Sequence, residues 1–145
     1  MLTNIRDVHI EWGQCDPAGI VFFPRYLEIF DACTGHLFAA VEVSKFDMIE
    51  KYGILGIPMV DLHTRFIVPS RFGEVVTIES AVTEWRRSSF KVAHRLKKGD
   101  QLCVECTETR VWTARNADDP SRIESRPLPP EVVEKLSQPI VTRVG

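Results

Sequence analysis

The sequence predicts an α+β fold in which one curled antiparallel sheet of five to six strands wraps around one long central helix. Residues 24–41 form a long helical segment whose apolar side chains cover more than one stripe of its surface. A helix of that kind has to be covered on several sides. From residue 58 onward apolar residues recur with a period of two, which is typical of successive strands. One sheet curled around one helix buries both apolar surfaces.

The first half of the chain supplies one strand and two helices. Residues 6–12 alternate apolar and charged side chains, with Trp12 on the apolar side. Pro24 starts the long helix, because proline at the first helical position loses no intrahelical hydrogen bond. Gly35, in the middle of this helix, costs about 1 kcal/mol of helix stability relative to alanine. A short amphipathic helix is predicted over residues 44–52, with a serine as its N-cap and a glycine after its end.

The second half of the chain is predicted to be mostly strands. A Lys-Gly-Asp turn at residues 98–100 joins the last two long strands into a hairpin. A polar loop then precedes a last edge strand, and a pair of prolines starts a closing helix. The predicted elements are strands at residues 60–68, 74–84, 88–97, 101–113 and 122–126 and a helix at residues 129–136.

Composition limits the kind of protein this can be. Its 145 residues, 44% hydrophobic and 26% charged, suit a single globular domain spanning residues 1–145. A net charge of −2 argues against a nucleic-acid partner, since phosphate binding needs clustered positive charge. No apolar run resembles a signal peptide or a membrane span, so we expect a cytoplasmic protein without a membrane partner.

Four cysteines include one C-x-x-C pair, Cys103 and Cys106. Residues three apart on a strand point to opposite faces, so this pair cannot share a metal ion, and no second pair completes a tetrahedral site. We therefore expect reduced packing thiols and no metal site. Cys15 is a rival nucleophile to the residues discussed next, but no histidine lies beside it in the sequence to activate it.

The stretch from Trp12 to Tyr26 carries the candidate chemistry. It reads Trp-Gly-Gln-Cys-Asp-Pro-Ala-Gly-Ile-Val-Phe-Phe-Pro-Arg-Tyr. Asp16 lies on a predicted turn just before a helix N-terminus, whose unpaired N–H groups and partial positive charge can stabilise an oxyanion. A carboxylate beside such a site can act on an acyl carbonyl. Taken alone, however, Asp16 before Pro17 is an ordinary turn former.

This stretch resembles the signature of the 4-hydroxybenzoyl-CoA thioesterase family of hot-dog-fold enzymes, (Asp/Glu)-x-Asp-x-x-Gly-x-Val-x-(aromatic)-x-x-Tyr. The match runs from Gly13 to Tyr26, and further likeness at residues 53–58, 84–90 and 110–111 spreads over most of the chain. The predicted order of strands and helices is also similar to the hot-dog layout. The resemblance implies an acyl-CoA thioesterase that needs no cofactor. It also implies a homodimer or a dimer of dimers, with the active site at the subunit interface.

The resemblance implies roles for individual residues. Asp16 matches the catalytic carboxylate, as nucleophile or as general base toward water, and both mechanisms stay open. The backbone N–H of Phe23 matches the group that polarises the thioester carbonyl. Arg86, Arg87 and Ser89 match the CoA-binding segment, where guanidinium groups suit phosphate oxygens.

Two residues bear on the identity of the acyl group. Asp31 matches an aspartate that reaches across the dimer to the hydroxyl of a 4-hydroxybenzoyl ring, so it favours a hydroxylated aromatic substrate. From helix composition alone, a solvated helix charge is an equally good interpretation. Ile57 stands where the 4-hydroxybenzoyl enzyme has a small polar residue, so benzoyl and other hydroxybenzoyl groups stay open.

Three other functions compete with this reading. An aliphatic acyl-CoA thioesterase fits if Asp31 is merely structural. Hydration or dehydration on the same fold usually needs a catalytic histidine, which the motif region lacks. His94 alternates with apolar residues on a strand and is interpreted as a packed or hydrogen-bonded histidine. A non-catalytic acyl-CoA-binding module is the remaining alternative, and the intact Asp16 speaks against it.

Overall fold

The computed structural model describes residues 1–144. Its helices are α1 (Phe23–Ala39), α2 (Lys45–Glu50) and α3 (Pro130–Ser137), with a 3-10 helix at Trp12–Gln14. Its strands are β1 (Thr3–His9), β2 (Met59–Phe66), β3 (Val75–Trp85), β4 (Ser89–Lys98), β5 (Gln101–Val111), β6 (Thr113–Arg115), β7 (Ile123–Ser125) and β8 (Val141–Val144).

Six of these strands form the main sheet, in the order β2-β5-β4-β3-β1-β8. All neighbours are antiparallel except β1 and β8, which run parallel. The predicted α+β architecture of five to six strands is therefore confirmed. The sixth strand is not the predicted one, because β7 pairs with β6 in a separate two-stranded sheet and β8 takes the edge beside β1. Strand β8 was not predicted.

Helix α1 packs against the inner face of this sheet along a single stripe. Its buried residues follow the helical spacing of three and four positions. Glu28, Asp31 and Ala32, on its other side, are exposed. The prediction of coverage on several sides is therefore wrong for a single chain, which covers one face of α1. The buried stripe is Tyr26, Ile29, Phe30, Cys33, Thr34, Leu37 and Phe38.

The first strand ends earlier than predicted. Strand β1 stops at His9, Ile10 is buried, and the chain then turns into the 3-10 helix that contains Trp12. The Trp12 side chain is 71% exposed and lies edge-on to Phe72, with ring centroids 5.6 Å apart. The placement of Trp12 on the buried side of a strand is therefore wrong.

Helix α2 begins where the sequence predicts, at a capping box. The Ser44 hydroxyl accepts a hydrogen bond from the Asp47 N–H at 3.1 Å, and the Asp47 carboxylate accepts one from the Ser44 N–H at 2.9 Å. Gly53, with φ of 62°, sends the chain away beyond the end of the helix. Helix α2 and the second half of α1 both line a cavity described below.

Candidate active site

Asp16 lies at the tip of a narrow, hydrogen-bonded turn. Its N–H donates to the Ile20 carbonyl at 2.9 Å, and its own carbonyl accepts from the Gly19 N–H at 2.9 Å. Gly19 has a φ of 81°, a conformation that favours glycine. Within the Asp16 carboxylate, Oδ1 accepts from the Ala18 N–H at 2.8 Å, whereas Oδ2 has no hydrogen bond within residues 1–144. Asp16 therefore shapes the turn with one oxygen and keeps the other free.

The same turn delivers the chain to the N-terminus of α1. Cys15 and Val21 form a bridge across the turn, and the Phe22 N–H donates to the Gln14 carbonyl at 2.9 Å. The next N–H, that of Phe23, has no acceptor among residues 1–144. Because it is one of the unpaired donors of the first helical turn, it can bind a negatively polarised oxygen.

Tyr26 anchors this end of α1 to the segment that follows β2. The Tyr26 hydroxyl accepts from the Ser70 N–H at 3.1 Å, and the Ser70 carbonyl accepts from the Val21 N–H at 2.9 Å. Phe66, at the end of β2, packs against both Tyr26 and Phe23, with centroid distances of 5.7 and 6.2 Å. The start of α1 is thus fixed by contacts outside the helix itself.

Asp31 lies on the exposed side of α1, eight residues after Phe23, and makes an ion pair. Its Oδ1 accepts from Nη2 of Arg110 on β5 at 2.9 Å, although the Asp31 side chain is 53% exposed. Nη1 of Arg110 donates to the Ile57 carbonyl at 3.1 Å. Asp31 and Ile57, both predicted to contact substrate, are therefore brought together by Arg110.

Arg110 is itself held by a buried polar network. Its Nε and Nη2 donate to the two carboxylate oxygens of Glu108 at 3.0 and 3.1 Å. Glu108 also accepts from the Thr34 hydroxyl at 2.6 Å and lies 3.2 Å from Nε2 of His94. The other His94 ring nitrogen is 2.7 Å from the Ser80 hydroxyl. His94 and Glu108 are fully buried, which confirms that His94 is a packed, hydrogen-bonded histidine.

Charge partners decide the ionisation of this network. Burial alone would raise the pKa of Glu108, but hydrogen bonds from His94 and Arg110 outweigh it and lower the pKa to about 2. Burial likewise opposes the charge of Arg110, whereas Glu108 and Asp31 raise its pKa above the ordinary value. The buried arginine and glutamate are therefore both charged and hold each other in place.

A cavity of about 430 Å³ opens beside the Asp31–Arg110 pair. It lies between the second half of α1, helix α2, the loop at residues 55–58 and β7, and most of its lining is apolar. Asp31, Ile57 and Arg110 line it, whereas Asp16 and Phe23 do not. Since α1 rises about 1.5 Å per residue, Asp31 lies about 12 Å along the helix from Phe23. Within one chain, the cavity beside Asp31 is therefore separate from the turn that carries Asp16 and Phe23.

The predicted CoA-binding residues lie together at the turn between β3 and β4. The Arg86 N–H donates to the Ser89 carbonyl at 2.8 Å, which closes the turn. Arg86 and Arg87 are exposed, and Arg86 makes only a long contact of 3.6 Å with Glu84. Arg86 and Ser89 also line a small hollow of about 30 Å³. Guanidinium groups with so few partners are available to phosphate oxygens.

Cys103 and Cys106 are free thiols and both are buried. The inference that they point to opposite faces is wrong, because the β4–β5 register shifts between Leu96 and Lys97 and both thiols join the same apolar cluster. Burial raises the pKa of the Cys106 thiol to about 11, which suits a packing residue. Within residues 1–144, His, Cys, Asp and Glu side chains form no cluster of three or more that could hold a metal ion.

Sequence reasoning assigned no role to Glu108 or Arg110. Both occupy inward-facing positions of β5, two residues apart, in line with buried Val104 and Cys106. The alternating pattern of this strand did contain a signal, namely two charged residues at positions expected to be buried. A buried charge needs a partner, so this signal indicates a buried polar network. The sequence could not identify Asp31 as the further partner of Arg110, since the two residues are 79 positions apart.

Comparisons with known proteins identify the family and the fold. The sequence model of the thioesterase-like superfamily matches residues 10–136. The 4-hydroxybenzoyl-CoA thioesterase of Pseudomonas sp. (strain CBS-3) is 34% identical over 134 residues, which cover 88% of this chain and 93% of that protein. A solved structure of 4-hydroxybenzoyl CoA thioesterase from Pseudomonas sp. strain CBS-3 aligns with a TM-score of 0.83 and 29% identity, over 92% of this chain and 98% of that chain. A gentisyl-coenzyme A thioesterase aligns with a TM-score of 0.77 and 25% identity, over 92% and 99%.

A six-stranded sheet packed on one long helix, with close structural neighbours among thioesterases, defines a hot-dog-fold hydrolase. The chain belongs to the thioesterase-like superfamily, because the family match covers most of its length. The predicted family, fold and enzyme class, a thioester hydrolase, are confirmed. The roles assigned to Asp16, Phe23, Asp31, Ile57 and the CoA-binding segment stay predictions. No helix within residues 1–144 is long and apolar enough to cross a membrane.

Proposed function

We propose that this protein hydrolyses aromatic acyl-CoA thioesters of the hydroxybenzoyl type to the free acid and CoA. Two groups on adjoining segments of one hydrogen-bonded turn carry the proposal. Asp16 has a carboxylate oxygen without a hydrogen bond, and Phe23 has an N–H without an acceptor. A nucleophile or base beside an oxyanion donor is what acyl transfer requires. The substrate class is supported by the 34% identical relative named for 4-hydroxybenzoyl-CoA.

In the proposed reaction, the Phe23 N–H binds the thioester carbonyl oxygen and Asp16 acts on the carbonyl carbon. As a nucleophile, Asp16 Oδ2 forms an anhydride and expels the CoA thiolate, and water then hydrolyses the anhydride and regenerates the carboxylate. As a general base, Asp16 removes a proton from the attacking water instead. Both routes end in the same acid and CoA, and neither needs a cofactor.

The remaining site residues bind the two ends of the substrate. Asp31 accepts a hydrogen bond from the ring hydroxyl, beside Ile57, and Arg110 fixes its orientation. Arg86 and Arg87, with Ser89 at the same turn, bind the CoA phosphates. CoA thioesters of this kind are cytoplasmic substrates, and the cytoplasm is the location that we propose.

The active site is completed by a second copy of the chain. Asp16 and Asp31 of one chain do not share a cavity, so Asp31 reaches the substrate of the partner subunit. Strand β2 supports such a dimer, since it forms an edge of the main sheet and seven of its eight residues are exposed. An exposed apolar edge strand is a template for pairing with another chain. Its exposed apolar residues are Met59, Val60, Leu62 and Phe66.

One observation favours a second candidate, an aliphatic acyl-CoA thioesterase. Asp31 already has a partner in Arg110, and apolar side chains make up most of the cavity beside the pair. If the Asp31–Arg110 pair is only a structural part of the cavity wall, an alkyl chain would fit against the apolar side chains that form the rest of the lining. Medium-chain acyl-CoA substrates therefore belong in the test.

The test compares the unmodified protein with Asp16→Asn on benzoyl, 4-hydroxybenzoyl and medium-chain acyl-CoA esters. We expect the hydroxybenzoyl ester to have the highest kcat/KM, and we expect Asp16→Asn to lower its kcat by about a thousandfold or more while ester binding persists. Asp100→Asn, in the exposed β4–β5 turn, is the matched control and should leave kcat unchanged. Retained turnover in Asp16→Asn would refute the catalytic role, and a preference for alkyl esters would refute the aromatic substrate.

A further inference from the structure

The side chains of β2, at the exposed edge of the main sheet, alternate between two faces. Phe66 lies on the face toward α1 and packs against Tyr26, with ring centroids 5.7 Å apart. Arg65 lies on the opposite, outer face, where it pairs with Glu105 of β5 at 3.1 Å. Since neighbouring side chains of a strand point to opposite faces, the charged and titratable residues of β2 share the outer face. They are Asp61, His63 and Arg65.

These outer-face residues have few partners within the chain. Asp61 and His63 are exposed, and neither makes an ion pair or a side-chain hydrogen bond within residues 1–144. Arg65 pairs only with Glu105, and its own side chain is 65% exposed. The edge strand therefore presents a negative and a positive charge four residues apart, with His63 midway between them.

Symmetry limits how two such edges can pair. A twofold axis perpendicular to the sheet makes two β2 strands antiparallel and keeps their outer faces on the same side of the joined sheet. Residues directly opposite each other then share a face, so the axis passes at one residue rather than between two. With the axis at His63, Asp61 lies opposite the partner's Arg65, and Arg65 lies opposite the partner's Asp61. Two ion pairs then form across the axis.

The two adjacent registers fit less well. With the axis at Thr64, Asp61 lies opposite an apolar residue of the partner. With the axis at Leu62, the pairing runs into the irregularity that follows Met59, where the register between β2 and β5 shifts. An irregularity of this kind disrupts the regular pairing of a strand. In neither register does Asp61 lie opposite an arginine, so charge complementarity favours the axis at His63.

We propose that two copies of the chain join along β2 with the twofold axis at His63, and that ion pairs between Asp61 and the partner's Arg65 select this register. The inference rests on the proposed function, in which a second copy completes the active site. It goes further by naming the charged contact and the alignment of the two strands. Moving the axis by one residue would slide the partner by two residues, about 7 Å along the strand. The partner's Asp31 would move by the same distance relative to Asp16, so the register also determines the geometry of the site.

Charge reversal tests the ion pairs. Asp61→Arg and Arg65→Asp each place like charges opposite each other in a homodimer, whereas a heterodimer of the two variants regains opposite charges at both pairs. Like charges at such a contact suppress the wrong pairing. We expect native mass spectrometry of the co-expressed variants to show about nine-tenths heterodimer, against about half for two unmodified chains of different mass. The lost contact between Arg65 and Glu105 affects homodimer and heterodimer equally and so does not change this proportion.

The matched control reverses a charge away from β2. Asp100→Arg lies in the exposed turn between β4 and β5. Co-expressed with Arg65→Asp, it should give no more heterodimer than the statistical proportion, because the two substitutions do not face each other across the axis.

Single cysteines test the position of the axis. His63→Cys places two thiols opposite each other, within the reach of a disulfide, so mild oxidation should join the two chains covalently. Leu62→Cys and Thr64→Cys are the controls for the adjacent registers. With the axis at His63, each of these thiols lies two residues along the strand from its counterpart, beyond disulfide reach, so both variants should cross-link at least tenfold more slowly. The unmodified protein, with Cys15 partly exposed, gives the background of oxidation.

Failure of the inference and failure of the proposed function give different results. A statistical proportion of heterodimer between the two charge variants would overturn the ion pairs. Faster cross-linking of Leu62→Cys or Thr64→Cys than of His63→Cys would overturn the register, and a monomeric unmodified protein would overturn both. In each case hydrolysis of the aromatic ester is measured separately and decides the proposed function. If the dimer forms as described and hydrolyses no aromatic ester, the proposed function is wrong and the interface stands.

Discussion

The turn before α1 and the middle of α1 hold their carboxylates in different ways. Near the N-terminal end, Asp16 lies on a surface turn and makes no ion pair within residues 1–144, and one of its oxygens is free. Farther along the helix, Asp31 is held by Arg110, which is held in turn by the fully buried Glu108. The difference fits two tasks. A carboxylate that reacts needs an unoccupied oxygen, whereas one that recognises a hydroxyl needs a fixed direction.

The buried network also ties this half of the site to stability. Glu108 and Arg110 have lost their water. Their mutual hydrogen bonds compensate, together with those from Thr34 and His94 to Glu108 and those from Arg110 to Asp31 and the Ile57 carbonyl. Substitutions at Asp16, the proposed reacting carboxylate, should therefore change turnover and leave folding alone. Substitutions at Asp31 and Arg110, at the proposed recognition site, should change both turnover and stability.

The largest expected effect comes from removing the charge of Arg110. We expect Arg110→Met to lower the free energy of unfolding by roughly 3–5 kcal/mol, because Glu108 would keep a buried charge without its cation. Arg143→Met, which breaks the exposed pair with Asp7 at 3.2 Å, is the control and should cost less than about 1 kcal/mol. Urea unfolding measures both. Comparable small losses in the two variants would show that the network does not stabilise the fold.

Acid should weaken the network through Glu108. Its pKa in the folded protein is about 2, below the ordinary 4.5. As the pH falls, the unfolded chain therefore takes up the proton first, and the stabilisation present above pH 4.5 is lost progressively down to pH 2. By linkage this amounts to about 3 kcal/mol. Unfolding measured across this range should show a flatter dependence on pH in Glu108→Gln than in Glu79→Gln, whose carboxylate forms a partly exposed pair with Lys97. Parallel curves would exclude Glu108 as the source.

A smaller effect is expected from Asp31 itself. Asp31→Asn keeps the shape of the side chain but weakens the acceptor for a ring hydroxyl, so kcat/KM for 4-hydroxybenzoyl-CoA should fall about tenfold. The value for benzoyl-CoA, which has no hydroxyl, should change less than threefold. Steady-state kinetics on the two esters make the comparison. Equal losses on both would make Asp31 a structural partner of Arg110 rather than a recognition residue.

Local signals predicted most of the fold. The long helix, α2 and the strands β3 and β4 come from extended periodic patterns and from the Ser44 cap, and the structure confirms them. Strand β8 is only four residues long and pairs with β1, more than 130 positions away, so no local pattern predicts it. Trp12 continues the alternation of β1 in sequence, yet the chain turns before it.

The candidate site likewise has a part that local sequence predicts and a part that depends on contacts between distant residues. Asp16 and Phe23 are seven positions apart, so a local motif could place both on one turn. The support of Asp31 depends on Arg110 and Glu108, and contacts across so much of the chain follow from the fold rather than from a spacing. The cavity beside the pair likewise required coordinates.

The two edge strands of the main sheet differ in length and exposure, and this difference limits how the chain can assemble. One edge is β2, eight residues long and mostly exposed, with four large apolar side chains at its surface. The other edge is β8, which is only four residues long. In the proposed dimer, pairing of β2 with β2 about a twofold axis would use up both long edges at once. A strand of four residues at the opposite edge offers little template for further addition. The same sheet can therefore close into a finite pair without opening a route to filaments.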